Sequence, residues 1–264
     1  MKPTVFLGGG RITGALAAGL RLAGDHRAIV VYDRHPDKLR TLRRDSRITI
    51  ARDLKGALAH AGMLVLAVRP LSLREMLAEV SATGAAPGLC VSLVAGIPLK
   101  KLRKWLGAPA RWVRAMPSPV CRIGRGLTAL CFDHPVSTAD RKRVRQMFAR
   151  LGEVAEVPER SFDAFTATYS SSHGYHALAT LAHAAQDAGL PRKTALQAAA
   201  HALADGIHYW KHSGLSLEEL LQEAATPGGI AAATVSAMDR AGYARAVKSG
   251  IGAGIALAHK NAKR

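Results

Sequence analysis

The stretch Val5-Phe6-Leu7-Gly8-Gly9-Gly10-Arg11-Ile12-Thr13-Gly14 decides the fold. The apolar run reads as a strand, the glycines as a tight turn, and the residues after them as the start of a helix. In such a turn the backbone approaches a pyrophosphate closely, and its amides and the helix N-terminus supply the positive pole. Gly8 and Gly10 take the first two glycine places of a dinucleotide fingerprint, and Arg11 and Ile12 follow them. Thr13 stands where a third glycine is usual, and is expected to crowd helix-to-strand packing without forbidding it. About twenty residues on, Asp33 ends a second apolar run, where an acid accepts from the ribose 2′-hydroxyl of NAD. Arg34, next to it, suits stacking on adenine or pairing with the 2′-phosphate of NADP. The pair permits either nucleotide.

Outward from this loop, short runs rich in Val, Ile and Leu fall at 5–7, 28–33, 48–50, 64–68, 90–93 and 112–116, with helical patterns between them. That alternation predicts a doubly wound parallel α/β sheet. Ser137-Thr138-Ala139-Asp140 reads as the cap of a helix running to about Leu151, which Gly152 stops, and 153–157 reads as one more edge strand. After Pro158 the texture becomes alanine-rich and helical, punctuated at Gly189-Leu190-Pro191, Ser213-Gly214 and Pro227-Gly228-Gly229. Domains are therefore expected at 1–158 and 159–264. The stretches 177–188 and 194–204 carry little charge, so an all-helical second half that buries them in a dimer is expected.

At 264 residues and 48% hydrophobic, the chain is long and apolar enough for two cored domains. It carries 37 Lys and Arg against 19 Asp and Glu, a net charge of +18 that attracts anions of any kind. The basic groups at 40–47, 100–104 and 141–145 read as solvated helix faces, and with only 5% aromatics for base stacking, nucleic acid is not the expected partner. Cys90, Cys121 and Cys131 are odd in number and lack metal-ligand spacing; no metal site is expected, and a reducing cytoplasm fits. Residues 1–8 are too short an apolar run for a signal peptide, and 164–186, though uncharged, hold too many Ser and His for lipid; no membrane association is expected.

From end to end the chain resembles the pyrroline-5-carboxylate reductases. The resemblance rests on Phe6-Leu7-Gly8-Gly9-Gly10, on Ala67-Val68-Arg69-Pro70 (where the family usually has Lys before Pro), on Ser92-Leu93-Val94-Ala95-Gly96 and on Arg114-Ala115-Met116-Pro117. It continues through Gly124-Arg125-Gly126, Ser170-Ser171-Ser172, Ala188-Gly189-Leu190-Pro191-Arg192 and Thr226-Pro227-Gly228-Gly229. It implies a Rossmann-like NAD(P)-binding domain, a helical domain forming a homodimer or higher homo-oligomer, and reduction of a cyclic imine to L-proline or a related amino acid, with NADP or NAD as cofactor. It implies that Ala67, Val68, Arg69, Pro70, Ala95, Gly96, Met116 and Pro117 line the cofactor. It also implies that Ser118, Ser171, Thr226, Gly228, Gly229, Ile230 and Ala231 face the substrate. The loop at 226–229 looks like the family's carboxylate cradle, although its spacing alone fits equally a proline opening a helix.

The departures from the family fall at this site. Ser118 replaces an Asn after Met-Pro, Ala231 replaces a Thr that donates to the substrate, and His173 enters beside Ser171. An imidazole titrates near neutrality, so His173 is the candidate substitute proton donor, with Ser171 beside it and Tyr169 and Tyr175 as weaker ones. A 3-hydroxyacid dehydrogenase would resemble this architecture but needs a helical lysine, and 163–187 has none. The other alternative is a nonenzymatic Rossmann protein that senses nucleotide or binds nucleic acid.

Overall fold

The computed structural model describes residues 2–35, 37 and 39–263; Met1, Pro36, Lys38 and Arg264 lie outside the described residues. The chain divides into two compact units, Met1–Tyr169 with Ala253–Arg264, and Ser170–Gly252.

The strands of the first unit are β1 (Thr4–Leu7), β2 (Ile29–Tyr32), β3 (Thr49–Ile50), β4 (Met63–Leu66), β5 (Leu89–Ser92), β6 (Arg111–Met116), β7 (Leu127–Phe132) and β8 (Glu153–Glu156). They form one sheet in the order β3-β2-β1-β4-β5-β6-β7-β8. From β3 to β6 every pairing is parallel. The chain winds one way from β1 through β2 to β3 and the other way from β4 to β6, so the loops leaving β1 and β4 part at their carboxyl ends and leave a crevice.

Around the sheet lie α1 (Arg11–Leu22), α2 (Leu39–Ser46), α3 (Leu54–Leu58), α4 (Pro70–Ala82), α5 (Leu99–Trp105) and α6 (Thr138–Ala149). Alternation along the strands fixes the faces: Phe6, Val31 and Val65 pack with α1, α2 and α6, whereas Val5, Leu7, Leu64 and Leu66 pack with α3, α4 and α5. Covered on both sides, β4 and β5 are buried at every position, which is why they read as unbroken apolar runs.

One feature differs from the sequence reading. The strand β7 was not expected, and it runs antiparallel to β6, with Ala115 opposite Leu130. The link between them is a 3-10 turn, Pro119–Ile123, instead of a covering helix, and only a crossover returns a chain in the parallel sense. The helix α6 provides such a crossover, and β8 pairs parallel with β7 at the expected edge. By compactness, α7 (Glu159–Thr168) groups with the sheet unit. Its Phe162 is buried in the core beneath it, and its Glu159 and Asp163 bind the buried Arg114 of β6.

The second unit is helical: α8 (Ser171–Asp187), α9 (Arg192–Ser213), α10 (Leu217–Ala224), α11 (Ile230–Arg240) and the first part of α12 (Tyr243–Lys263). Local chemistry sets its breaks. Ser170 caps α8, Gly214 ends α9 with φ +73°, and Ser216 with Glu219 forms a reciprocal capping box on α10. Small residues let helices approach, and Ala182, Ala195 and Ala199 are buried as α8 packs on α9. Larger apolar side chains of this unit, among them Leu196, Ile207, Trp210 and Val235, are exposed. Among the described residues no helix is long and apolar enough to cross a membrane.

Candidate functional site

Gly8 leaves β1 with φ +103°, and a Cβ on it would lie 2.6 Å from the Ala67 carbonyl oxygen. Only glycine lets this loop pass so close to the end of β4. Gly10 caps α1 in an extended conformation, and a Cβ there would have nothing within 4 Å. The space beside it is a cleft of about 400 Å³, within the ordinary range of ligand sites. Gly8 and Gly10 line it from the first loop, Asp33, Arg34 and His35 from beyond β2, Ala67, Val68 and Arg69 from beyond β4, and Ser72 and Met76 from α4.

This end of α1 suits an anion. No side chain caps it and no acid stands in its first turn, so its leading amides keep their capacity for a ligand. Thr13 does not crowd the packing as expected: it is fully buried and its hydroxyl donates to the Gly8 carbonyl at 2.6 Å, tying the loop to the helix. The glycine that close packing requires lies further along, at Gly19, where a Cβ would meet the Cys121 carbonyl oxygen at 2.1 Å.

Asp33 is held from two sides. Its Oδ2 accepts from the Gly9 N–H at 2.7 Å and its Oδ1 from the His35 N–H at 2.8 Å. Each oxygen keeps accepting capacity for a ribose hydroxyl. Arg34 reaches α4 instead of open solvent: Nη1 donates to Glu75 Oε2 at 2.9 Å, and Nη2 pairs with Glu79. The hydrogen bond to Glu75, with Glu79 adding to it, raises the guanidinium's pKa further.

The other predicted cofactor residues stand on the same sheet unit, outside this cavity. Arg11 is exposed at the first position of α1, while Ile12 packs against the core. Pro70 opens α4 directly after Arg69. Ala95 and Gly96 follow β5, and a Cβ on Gly96, at φ +76°, would meet the Ala258 carbonyl oxygen at 2.5 Å, so packing of the end of α12 requires this glycine. Met116 ends β6, and Pro117 and Ser118 are buried beyond it, Ser118 capping the 3-10 turn through Val120. Sequence reasoning missed Ser72 and Met76, although their one-turn spacing on α4 was a usable signal.

Apart from Ser118, the predicted substrate residues lie in the helical unit. Ser171 opens α8, and His173 is exposed one turn in, its amide donating to the Ser170 carbonyl at 3.0 Å. Pro227 does not open a helix: Gly228 has φ +80°, Gly229 is the cap, and α11 begins at Ile230, which with Ala231 is exposed. Thr226 closes the loop by accepting the Gly229 N–H at 3.0 Å. Like α1, α11 has no side-chain cap and no acid in its first turn. Tyr169, a weaker donor candidate, has a structural contact, its hydroxyl accepting from the Leu127 N–H at 2.6 Å.

Known proteins resemble both parts of the chain. Residues 4–96 match the family described as NADP oxidoreductase, coenzyme F420-dependent, and residues 159–260 match pyrroline-5-carboxylate reductase dimerisation. A pyrroline-5-carboxylate reductase of Corynebacterium melassecola is 29% identical over 248 residues, spanning 92% of each chain. The Plasmodium falciparum pyrroline carboxylate reductase solved with NADP bound shares the fold with a TM-score of 0.88 at 22% identity, over 99% of this chain and 98% of that one. The 1-pyrroline-5-carboxylate reductase of Streptococcus pyogenes does so with a TM-score of 0.89 at 22% identity, over 98% of each.

Proposed function

We propose that this chain is an enzyme of the pyrroline-5-carboxylate reductase type, using NADPH or NADH to reduce the C=N bond of a cyclic imine such as 1-pyrroline-5-carboxylate and giving a cyclic amino acid such as L-proline. The observation that carries this reading is the open space at Gly10, where an uncapped helix N-terminus and the positioned carboxylate of Asp33 share one cleft.

When bound, the dinucleotide supplies the hydride. The chain does the rest. The leading amides of α1 hold the pyrophosphate, and Asp33 accepts from the adenosine ribose. The substrate carboxylate is taken by the loop at 226–229 and the first amides of α11, which carry no competing acid. A proton must be held for the substrate nitrogen, and with alanine at 231 this task falls to His173, with Ser171 beside it.

The exposed apolar side chains of α9 and α11 are the surface expected of an unpaired dimerisation module, and we assign them to a homodimer or larger homo-oligomer. The three free cysteines are buried, and burial pushes Cys90 up to about 12 and Cys121 and Cys131 up to about 11. Buried thiols with raised pKa values are poor nucleophiles and serve as small apolar packing groups.

The test is oxidation of NADPH and NADH by the purified protein against a panel of cyclic imines, beside a salt-dependent titration with DNA. Turnover of an imine carboxylate without steeply salt-dependent DNA binding is the expected result. Nucleotide binding with no turnover of any imine would favour a sensor.

A further inference from the structure

The contacts of Arg34 reach beyond its own loop. Glu75 and Glu79 stand one turn apart on the outward side of α4, whose inner side buries Leu73, Met76, Leu77 and Val80. Ser72 and Met76, on the same helix, line the cleft together with Arg34. The guanidinium therefore forms a bridge from the end of β2 to α4, beside the Asp33 that marks the ribose end of the cleft. Two carboxylates, Glu75 and Glu79, hold this one guanidinium, while Asp33 lines the same cleft and is held by the Gly9 and His35 amides.

The two nucleotides meet this arrangement differently. A ribose 2′-hydroxyl is a neutral donor and needs only Asp33. A 2′-phosphate brings about two negative charges and needs a cation free for bidentate pairing. In this structure the best-placed cation already holds two carboxylates, which a phosphate must displace and then sit beside.

We propose that Glu75 and Glu79 are specificity-determining residues: they withhold Arg34 from the 2′-phosphate and so weaken NADPH relative to NADH. This rests on reading the cleft as a dinucleotide site. Their side chains are 65% and 38% exposed, so the pairs add little to stability. Their effect is on which anion the guanidinium accepts, by a carboxylate competitor built into the rim. Because both pairs are open to solvent, added salt reduces the discrimination.

The experiment measures dissociation constants of NADPH and NADH by fluorescence titration for the wild type, Glu75→Gln, Glu79→Gln, the double variant and the double variant with Arg34→Ala. All substitutions lie on the surface, and far-ultraviolet circular dichroism checks that each variant is folded. The double variant is expected to bind NADPH about tenfold more tightly, with NADH changed by less than about twofold. Adding Arg34→Ala is expected to remove the gain, because the gain requires the released guanidinium. An unchanged ratio of affinities in the double variant overturns the proposal and leaves the dinucleotide reading standing. So does a gain that survives Arg34→Ala, since general repulsion would then account for it. A wild type that binds neither nucleotide overturns both readings.

Discussion

Arg114 of β6 and Asp163 of α7 meet at 2.8 Å where the arginine is 2% exposed, in the interior of the sheet unit. Glu159 takes the other arm of the guanidinium at 2.9 Å, and the Phe162 ring lies 4.3 Å from its central carbon. A buried cation so far from water depends on these two carboxylates, and its Nε already has no hydrogen-bond partner among the described residues. Glu159 also accepts the Leu99 N–H at 3.0 Å, which ties the start of α5 to the same knot.

Removing both carboxylates, with Glu159→Gln and Asp163→Asn together, leaves the charge buried and unpaired. The double variant should lose roughly 3 kcal/mol of unfolding free energy in urea, whereas Arg114→Met in that background should recover much of it. If α7 were held by Phe162 packing alone, the carboxylate changes would cost less than about 1 kcal/mol.

Gly10→Val places a branched side chain in open space, so the protein should keep its urea midpoint yet lose nucleotide affinity by at least about a hundredfold. Gly8→Ala is the contrast. There the new Cβ strikes the Ala67 carbonyl from a left-handed backbone, so stability should fall by more than about 2 kcal/mol. Equal nucleotide affinity in folded Gly10→Val and wild type would remove the cleft from consideration as the cofactor site.

The first loop, the parallel strands and the start of α6 were legible because their causes are local: a glycine turn, apolar runs buried on two faces, and Ser137 as a cap. What was illegible depends on distant residues. Arg34 finds Glu75 and Glu79 at separations of 41 and 45 positions, and Arg114 finds Glu159 and Asp163 at 45 and 49, none of which periodicity reveals. The strand β7 escaped because no helical pattern leads into it, and the alternation that exposed the other strands depends on such spacers. At the candidate substrate residues, Gly229 caps α11 and Ile230 begins it, so Pro227 is not the first residue of that helix.

Asp25 provides a pH-dependent contribution to stability. It is 4% exposed, and the Arg27 side-chain hydrogen bond, with Arg150 also near, holds its carboxyl at about 2, below its ordinary 3.8. Its folded pKa is depressed, so its contribution is complete above about pH 4 and is lost as pH falls toward 2. Asp25→Asn should therefore cost about 2 kcal/mol at neutral pH and much less near pH 2. Unfolding free energies of both proteins across that window should converge on the acid side; a constant difference would assign the cost to packing instead of charge.

The last prediction concerns the proton. Ala231 is the second residue of α11 and is exposed, so a threonine fits there without disturbing a core and restores a side-chain donor near the first amides of the helix. One hydrogen bond that forms in the transition state contributes about 1 to 3 kcal/mol, so Ala231→Thr should raise kcat/KM for 1-pyrroline-5-carboxylate by roughly tenfold to a hundredfold. It should also shift preference toward that imine and away from bulkier ones. His173→Ala should lower kcat more in the native background than in the Ala231→Thr background, because two groups serving one task are not additive. Efficient wild-type turnover of 1-pyrroline-5-carboxylate, with neither substitution changing the ratio of efficiencies between imines, would show that neither position supplies the proton.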